Sequence, residues 1–235
     1  MKKYVLYQGK KLRYGFTTGS SAAAATKAAC MLLARKKLQN SVFIDTPSGE
    51  KLEIHVHTSS LKNNYAIASV FKDGGDDADV TSGLEIGAKV SRQKEPGIVI
   101  KGGVGVGVAT KKGLPIDVGE DAINPVPREM ITQSVLEIFD VTKEGVIVEI
   151  FVPNGKETAK KTLNYKLGIE GGISILGSTG IVKPMSEEAY KDSLAVELKA
   201  MVEQQDTDTF VFTFGNYGQS YVKKQLYINE QNLIV

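Results

Sequence analysis

The sequence predicts an α/β chain of the α+β kind, with a two-layer helix-on-sheet domain over residues 1–165 and the beginning of a Rossmann-like α/β domain over 166–235. Three observations carry that expectation. An alanine-rich helical segment, Ser20 to Lys37, is followed by short strand-like segments, the pattern of a helix lying on an antiparallel meander. Two glycine-rich stretches, Lys72 to Gly119 and Leu167 to Gly180, interrupt the regular elements. From Ser186 onward, helix, strand and helix alternate, as at the start of a doubly wound parallel sheet.

In the first helix, Ser20 or Ser21 is the expected cap. The alanines favour helix, and Arg35-Lys36-Lys37 suits the negative end of the dipole. Strands are expected at Ser41–Asp45, Lys51–His57 and Tyr65–Phe71, separated by Pro47-Ser48-Gly49 and Lys62-Asn63-Asn64. From Lys72 the chain reads as a long glycine-rich loop with one strand, Ile98 to Lys101. A helix over Pro125–Phe139 opens with Asn124 as cap and Pro125 in its first turn. Val146–Val152 reads as a strand, Ser186–Gln204 as a helix and Thr209–Phe214 as a strand. Gly215-Asn216-Tyr217-Gly218 reads as a tight turn before a helix from Gln219 to Leu226, and Asn232–Val235 as a final strand. An α/β domain that stops one strand after its first βα unit is too small to cover a sheet on both faces, so the second domain is expected to be incomplete.

With 235 residues, 42% of them hydrophobic, the chain can bury a substantial core. Its 29 Lys and Arg against 27 Asp and Glu leave a formal charge of +2, too small an excess to mark a nucleic-acid-binding surface. Cys30 is the only cysteine, so no intramolecular disulfide is possible, which fits a reducing compartment. The N-terminal residues lack the apolar core of a signal peptide, and no apolar run is long enough to span a bilayer. A soluble cytoplasmic protein without membrane contact is expected.

Several segments are candidates for chemistry. Gly15-Phe16-Thr17-Thr18-Gly19-Ser20-Ser21 puts hydroxyls and amides at a helix N-terminus, where a carboxylate or phosphate is favoured, although a plain capped turn has the same composition. Lys72-Asp73-Gly74-Gly75-Asp76-Asp77-Ala78-Asp79 concentrates carboxylates that cap a turn or grip ligand hydroxyls. It lacks the glycine and glutamate of a calcium loop. Gly102-Gly103-Val104-Gly105-Val106-Gly107 resembles a dinucleotide fingerprint, but Lys111-Lys112-Gly113-Leu114-Pro115 follows instead of a helix. His55 and His57 share the solvent face of a strand with no third metal ligand in sight. Cys30 suits a buried inert thiol, and no nucleophile elbow is present.

Read in order, five blocks resemble the cobalt-precorrin-5B C1-methyltransferase (CbiD) family of anaerobic cobalamin biosynthesis. They are Leu12 to Gly19, Lys72 to Asp77, Ala122 to Arg128, Leu167 to Gly177 with Thr179 to Ala189, and Gly215 to Gly218. Ser21 stands where the family often carries Cys, and Ala78 and Ser82 where it often shows Pro and His. Family members usually continue well beyond this C-terminus. The resemblance implies methyl transfer from S-adenosylmethionine to C-1 of cobalt-precorrin-5B, giving cobalt-precorrin-6A. The cobalt belongs to the substrate, so no protein-bound metal is required. A substrate rich in peripheral carboxylates calls for cations and helix N-termini, which makes Arg13, Thr17, Thr18, Arg128 and Lys183 the candidate substrate contacts. Asp73, Gly74, Gly75, Asp76, Asp77, Gly103, Gly105, Gly171, Gly172, Gly215 and Asn216 are the candidate contacts for S-adenosylmethionine. The alternatives are a truncated, non-catalytic tetrapyrrole-binding paralogue and a phosphotransferase whose glycine loops cradle a nucleotide.

Overall fold

The structure, a computed structural model, describes residues 3–204, 209–226 and 232–234. A hairpin of β1 (Tyr4–Tyr7) and β2 (Lys10–Arg13) turns through Gln8 and Gly9, both at positive φ, and leads into β3 (Gly15–Phe16) and α1 (Thr18–Arg35). Helix α1 buries Ala22, Ala23, Ala24, Ala25, Ala28, Ala29 and Cys30 on a face of small side chains, so its backbone lies close to its neighbours. Lys36 ends it in the left-handed conformation, its amide bonding Leu32 O. A separate hairpin follows, β4 (Ser41–Asp45) with β5 (Lys51–His55), burying Val42, Ile44, Leu52 and Ile54 at alternate positions.

The main sheet begins with β6 (Thr58–Leu61), β7 (Tyr65–Phe71), β8 (Glu85–Gln93) and β9 (Gly97–Gly102). The short β10 (Val108–Ala109) precedes α2 (Pro125–Leu136), and β11 (Gly145–Phe151) completes the sheet in the order β6-β7-β8-β11-β9. All its pairings are antiparallel except β9 with β11. Helices α1 and α2 pack on each other, and α1 lies on β7 and β8, giving the expected helix-on-sheet layers.

Two short helices, α3 (Gly155–Ala159) and α4 (Asn164–Leu167), lead to β12 (Ile169–Glu170) and β13 (Ile181–Val182). These strands pair with β10 and β3. Residues 169–182, assigned by sequence to the second unit, are therefore bonded to strands of the first. Beyond them lie α5 (Glu187–Gln204), β14 (Val211–Phe212), α6 (Gly215–Gln225) and β15 (Leu233–Ile234). Strands β14 and β15 pair in parallel across α6, one βαβ unit of the doubly wound type.

Four local expectations need correction. The long loop after Lys72 contains β8, a central strand of the sheet. Gly87 disguises it, but the ring of the register partner Phe151 lies where a Gly87 side chain would project, 2.1 Å from an added Cβ. Helix α1 starts at Thr18 with Thr17 as cap, because the Thr17 hydroxyl accepts the Ser20 amide. Gly215 to Gly218 is the first turn of α6 and not a turn ahead of it. The strand read over Thr209–Phe214 is ladder-paired only at Val211–Phe212. Val235 lies outside the described residues.

Beneath the first domain's edge, three stretches of backbone cross at glycines. An added Cβ on Gly172 would sit 2.2 Å from Gly105 O, one on Gly155 2.1 Å from the same atom, and one on Gly105 1.9 Å from Val152 O. The amide of Ile173 donates to Gly105 O at 3.0 Å, and that of Gly107 to Ile173 O at 2.9 Å. Only glycine permits so close an approach. Adjacent Gly171, at φ +83°, has open space around it. We expect Gly172→Ala to lower stability by about 3 kcal/mol through overpacking against backbone. Gly171→Ala should lower it by about 1–2 kcal/mol through its backbone conformation alone. Urea midpoints of the two variants check the order, and equal losses would contradict the crossing.

Candidate functional site

A cavity of about 290 Å³ opens between the first turn of α1, the turn after β7 and the returning segment 173–182. Thr17 and Thr18 form one wall, Lys72, Asp79, Val80 and Thr81 a second, and Thr162 with Asn164 a third. Ile173, Ser174, Leu176 and Val182 close it.

Hydrogen bonds from the helix start hold the returning segment in place. Gly19 N donates to Leu176 O at 3.0 Å, and Thr17 N to Gly180 O at 3.1 Å. The Ser20 hydroxyl donates to Gly180 O at 2.6 Å. The Thr18 hydroxyl donates to Leu176 O at 3.1 Å and accepts from Leu176 N at 2.8 Å. These bonds bring the first and fourth sequence blocks together across more than 150 residues of chain.

The second wall carries a buried ion pair. The Lys72 side chain is 2% exposed and its Nζ binds Asp79 Oδ2. Asp79 Oδ1 accepts the Thr81 amide at 2.7 Å and the Thr81 hydroxyl at 2.5 Å. Burial pushes the Asp79 carboxyl upward, but the charge of Lys72 and hydrogen bonds from Lys72 and Thr81 outweigh it, holding the group below the ordinary carboxylate range. Asn164 Nδ2 anchors the third wall on Gly172 O at 3.0 Å.

The sequence-derived candidates fall into distinct places. Thr17 and Thr18 line the cavity, and exposed Lys183 follows the lining residue Val182. Arg13 forks onto Asp73, with Nη1 to Oδ2 at 2.5 Å and Nη2 to Oδ1 at 2.8 Å, and this fork holds the Asp73 carboxyl below its usual range. The Arg13 amide donates to Asp76 Oδ2 at 2.5 Å, and the Asp76 amide donates back to Arg13 O at 2.9 Å. Gly74 and Gly75 lie against Gly15 and Arg13 so closely that a Cβ on Gly75 would sit 2.2 Å from Arg13 O. Asp77 Oδ1 accepts the Met185 amide at 3.4 Å.

Arg128 donates from Nε to Ile123 O at 2.9 Å and from Nη1 to Ile100 O at 3.1 Å, so its partners are a carbonyl just ahead of α2 and one within β9 rather than a carboxylate. Gly105 and Gly172 belong to the backbone crossing, Gly103 lies against Glu149 and Ile150 of β11, and Gly171 is exposed beside the crossing. Of these, the Gly103 amide is engaged, donating to Ile150 O at 2.7 Å. Gly215 and Asn216 open α6 in the second unit, where the Asn216 side chain lies outside the described residues.

Lys72, Asp79, Thr81, Thr162, Asn164 and Ser174 line the cavity without having been among the candidate contacts, although Lys72, Asp79 and Ser174 lie in segments that the sequence drew attention to. One signal could have found Lys72: it continues the buried alternation Ala66, Ala68, Val70 along β7, an inward position for a cation. Ser174 has no comparable signature. Outside the site, His55 and His57 face solvent as expected, and burial pushes the Cys30 thiol up, consistent with an inert side chain.

Fold and cavity together define an α/β protein with a small cavity between its first helix and a returning loop. The CbiD family model matches residues 5–184. The cobalt-precorrin-5B C(1)-methyltransferase of Alkaliphilus metalliredigens is 48% identical over 234 residues, covering 100% of this chain and 62% of that protein. The protein of the same name from Clostridium perfringens strain 13 is 50% identical over 233 residues, covering 99% and 62%. A 1.9 Å crystal structure of the cobalamin biosynthesis protein CbiD from Archaeoglobus fulgidus aligns with a TM-score of 0.58 at 32% identity, covering 95% of this chain and 71% of that one. The chain belongs to the CbiD family. It spans 62% of the length of the first two of these relatives.

The ion pair in the cavity wall gives a pH-dependent expectation. Asp79→Asn leaves the Lys72 ammonium buried without its counter-charge and should destabilise by about 3–5 kcal/mol at pH 7. A carboxyl whose folded pKa is depressed contributes stability above its unfolded value, about 3.9, and loses it as pH falls through the folded value. The gap between wild type and variant should therefore narrow only below about pH 4. Urea unfolding across pH 2.5–7 checks this, and a gap independent of pH would contradict the pair's role.

Proposed function

We propose that this chain carries out, within its protein, the methylation of C-1 of cobalt-precorrin-5B to cobalt-precorrin-6A in cobalamin biosynthesis. S-adenosylmethionine serves as methyl donor, and the reaction runs in the cytoplasm. One observation carries the reading: 48% identity to a protein named for this reaction extends over 100% of the chain, taking in every segment that lines the cavity.

The donor's transferable methyl is attacked by the electron pair of the ring carbon. The new C–C bond forms as the C–S bond breaks, and the sulfur keeps that pair, leaving S-adenosylhomocysteine. The leaving group is good, so the protein's task is alignment and exclusion of water. Ligand pockets commonly measure about 300–1,000 Å³. At about 290 Å³ the cavity takes one compact ligand or the end of a larger one, with the broad tetrapyrrole lying across its mouth. The mixed lining, threonine hydroxyls and an ion pair beside Val80, Ile173 and Val182, suits an amphiphilic donor.

In this reading Thr17 and Thr18 touch ligand, and Lys183 meets a tetrapyrrole carboxylate at the rim. Arg13 and Arg128 act as positioning residues, one holding the turn that carries Asp79, the other tying β9 to the segment ahead of α2. Asp73, Gly74, Gly75, Asp76 and Asp77 set that turn against β2 and β3. Gly103, Gly105, Gly171 and Gly172 support the cavity floor, while Gly215 and Asn216 offer a second contact from α6.

The test is single-turnover transfer from S-adenosylmethionine labelled in its methyl group, with cobalt-precorrin-5B as acceptor. Label appearing on the tetrapyrrole, together with stoichiometric S-adenosylhomocysteine, is the expected outcome. Label remaining on the donor with correctly folded protein would remove the proposal. Lys183→Ala should weaken tetrapyrrole binding by about 1 kcal/mol, as for an exposed ionic contact, with the loss shrinking at high salt.

A further inference from the structure

The cavity holds buried hydrogen-bond donors that the protein does not use. Ser174 is 6% exposed and lines the cavity, and its hydroxyl has no hydrogen-bond partner among the described residues. Buried polar atoms are almost always paired, so an orphan hydroxyl in a cavity wall points to a ligand. Lys72 carries three donors on Nζ and gives one, to Asp79. Of the first four amides of α1, those of Gly19, Ser20 and Ser21 bond Leu176 O, Thr17 Oγ1 and Thr17 O. That of Thr18, another lining residue, has no partner among the described residues.

These groups ask for the same kind of partner. The Asp79 carboxylate is already engaged by Lys72 and Thr81, whereas the hydroxyl of Ser174, the ammonium of Lys72 and the Thr18 amide retain donors. The 18-residue helix α1 adds the positive end of its dipole at Thr18. The complement is an anionic oxygen, and a planar pair of oxygens can be shared among several donors.

We propose that Ser174, Lys72 and the Thr18 amide form a pocket for a ligand carboxylate. Two ligands of the proposed reaction carry one, the amino-acid end of the methyl donor and the side chains of the tetrapyrrole. The choice between these sources rests on the proposed function, whereas the pocket itself does not.

Ser174→Ala tests the inference without endangering the fold, because it deletes a hydroxyl with no internal partner. The variant should melt at the wild-type temperature or slightly above it. If the donor supplies the carboxylate, calorimetry should show S-adenosylhomocysteine binding weakened about tenfold, with 5′-methylthioadenosine, which lacks the amino-acid end, unaffected. If the tetrapyrrole supplies it, cobyrinic acid should lose about tenfold in affinity and its heptamethyl ester nothing. Ser174→Thr, which keeps a hydroxyl, should recover part of the loss in either case. Unchanged affinity for both acids, or an early-melting Ser174→Ala, would overturn the pocket. A wild type that binds none of these probes counts against the proposed function instead. The pocket then stands on titration of the protein with acetate, followed at the Thr18 and Ser174 amide resonances. Saturable shifts there support it, and their absence overturns it too.

Discussion

The site depends on the return of residues 173–182 onto the first turn of α1. Without that return there is no cavity, because Ile173, Ser174, Leu176 and Val182 supply one wall and Thr17 with Thr18 the facing one. The attachment is made largely through backbone atoms: Gly19 to Leu176, Thr17 to Gly180, and β3 to β13. Two side-chain hydroxyls, Thr18 and Ser20, complete it. This explains the cluster of small polar residues at the helix start. A helix N-terminus must satisfy its leading amides, and here most of them are satisfied by the segment that forms the cavity.

The glycines serve the same construction. Gly105, Gly155 and Gly172 meet where three chain segments cross, and Gly15 meets Gly74 and Gly75 where β3 leaves the N-terminal hairpin. At each crossing, backbone lies against backbone with no room for a side chain. A glycine stretch that looks like a nucleotide loop in sequence is thus a joint in the scaffold, with the amides of Gly102, Gly103 and Gly107 donating to Asp121 Oδ2, Ile150 O and Ile173 O. The Arg13–Asp73 fork fastens one such joint from outside, and the buried Lys72–Asp79 pair fastens the turn beyond it from within. A buried pair of this kind is poor stabilisation compared with apolar packing.

Much of the layered architecture was legible because it follows from periodicity. The alanine helix and the strands at 41–45 and 65–71 carry repeating patterns that burial enforces, and the α-β-α alternation near the C-terminus shows in the order of its elements. What was hidden had weak or competing signals. Strand β8 alternates Ile86, Ala88 and Val90 inward, but Gly87 and the glycines before it give the look of a loop. Thr17, Thr18, Ser20 and Ser21 can all cap a helix, and only the tertiary bonds to Leu176 and Gly180 select Thr17. The acidic turn was recognised as a unit, but its cavity-facing member is Asp79, paired with a lysine whose burial depends on the strand's register. Ser174 could not be found from sequence, since its significance is a missing hydrogen bond.

The central claim is that ligand binds between the α1 start, the turn after Lys72 and the returning segment. Hydrogen–deuterium exchange on the protein with and without S-adenosylhomocysteine tests it most directly. The account predicts slowed exchange confined to amides near 18–21, 72–82 and 173–182, with the outer strands of the main sheet unchanged. Slowing restricted to 211–226 around β14 and α6, with those three segments unaffected, would contradict it.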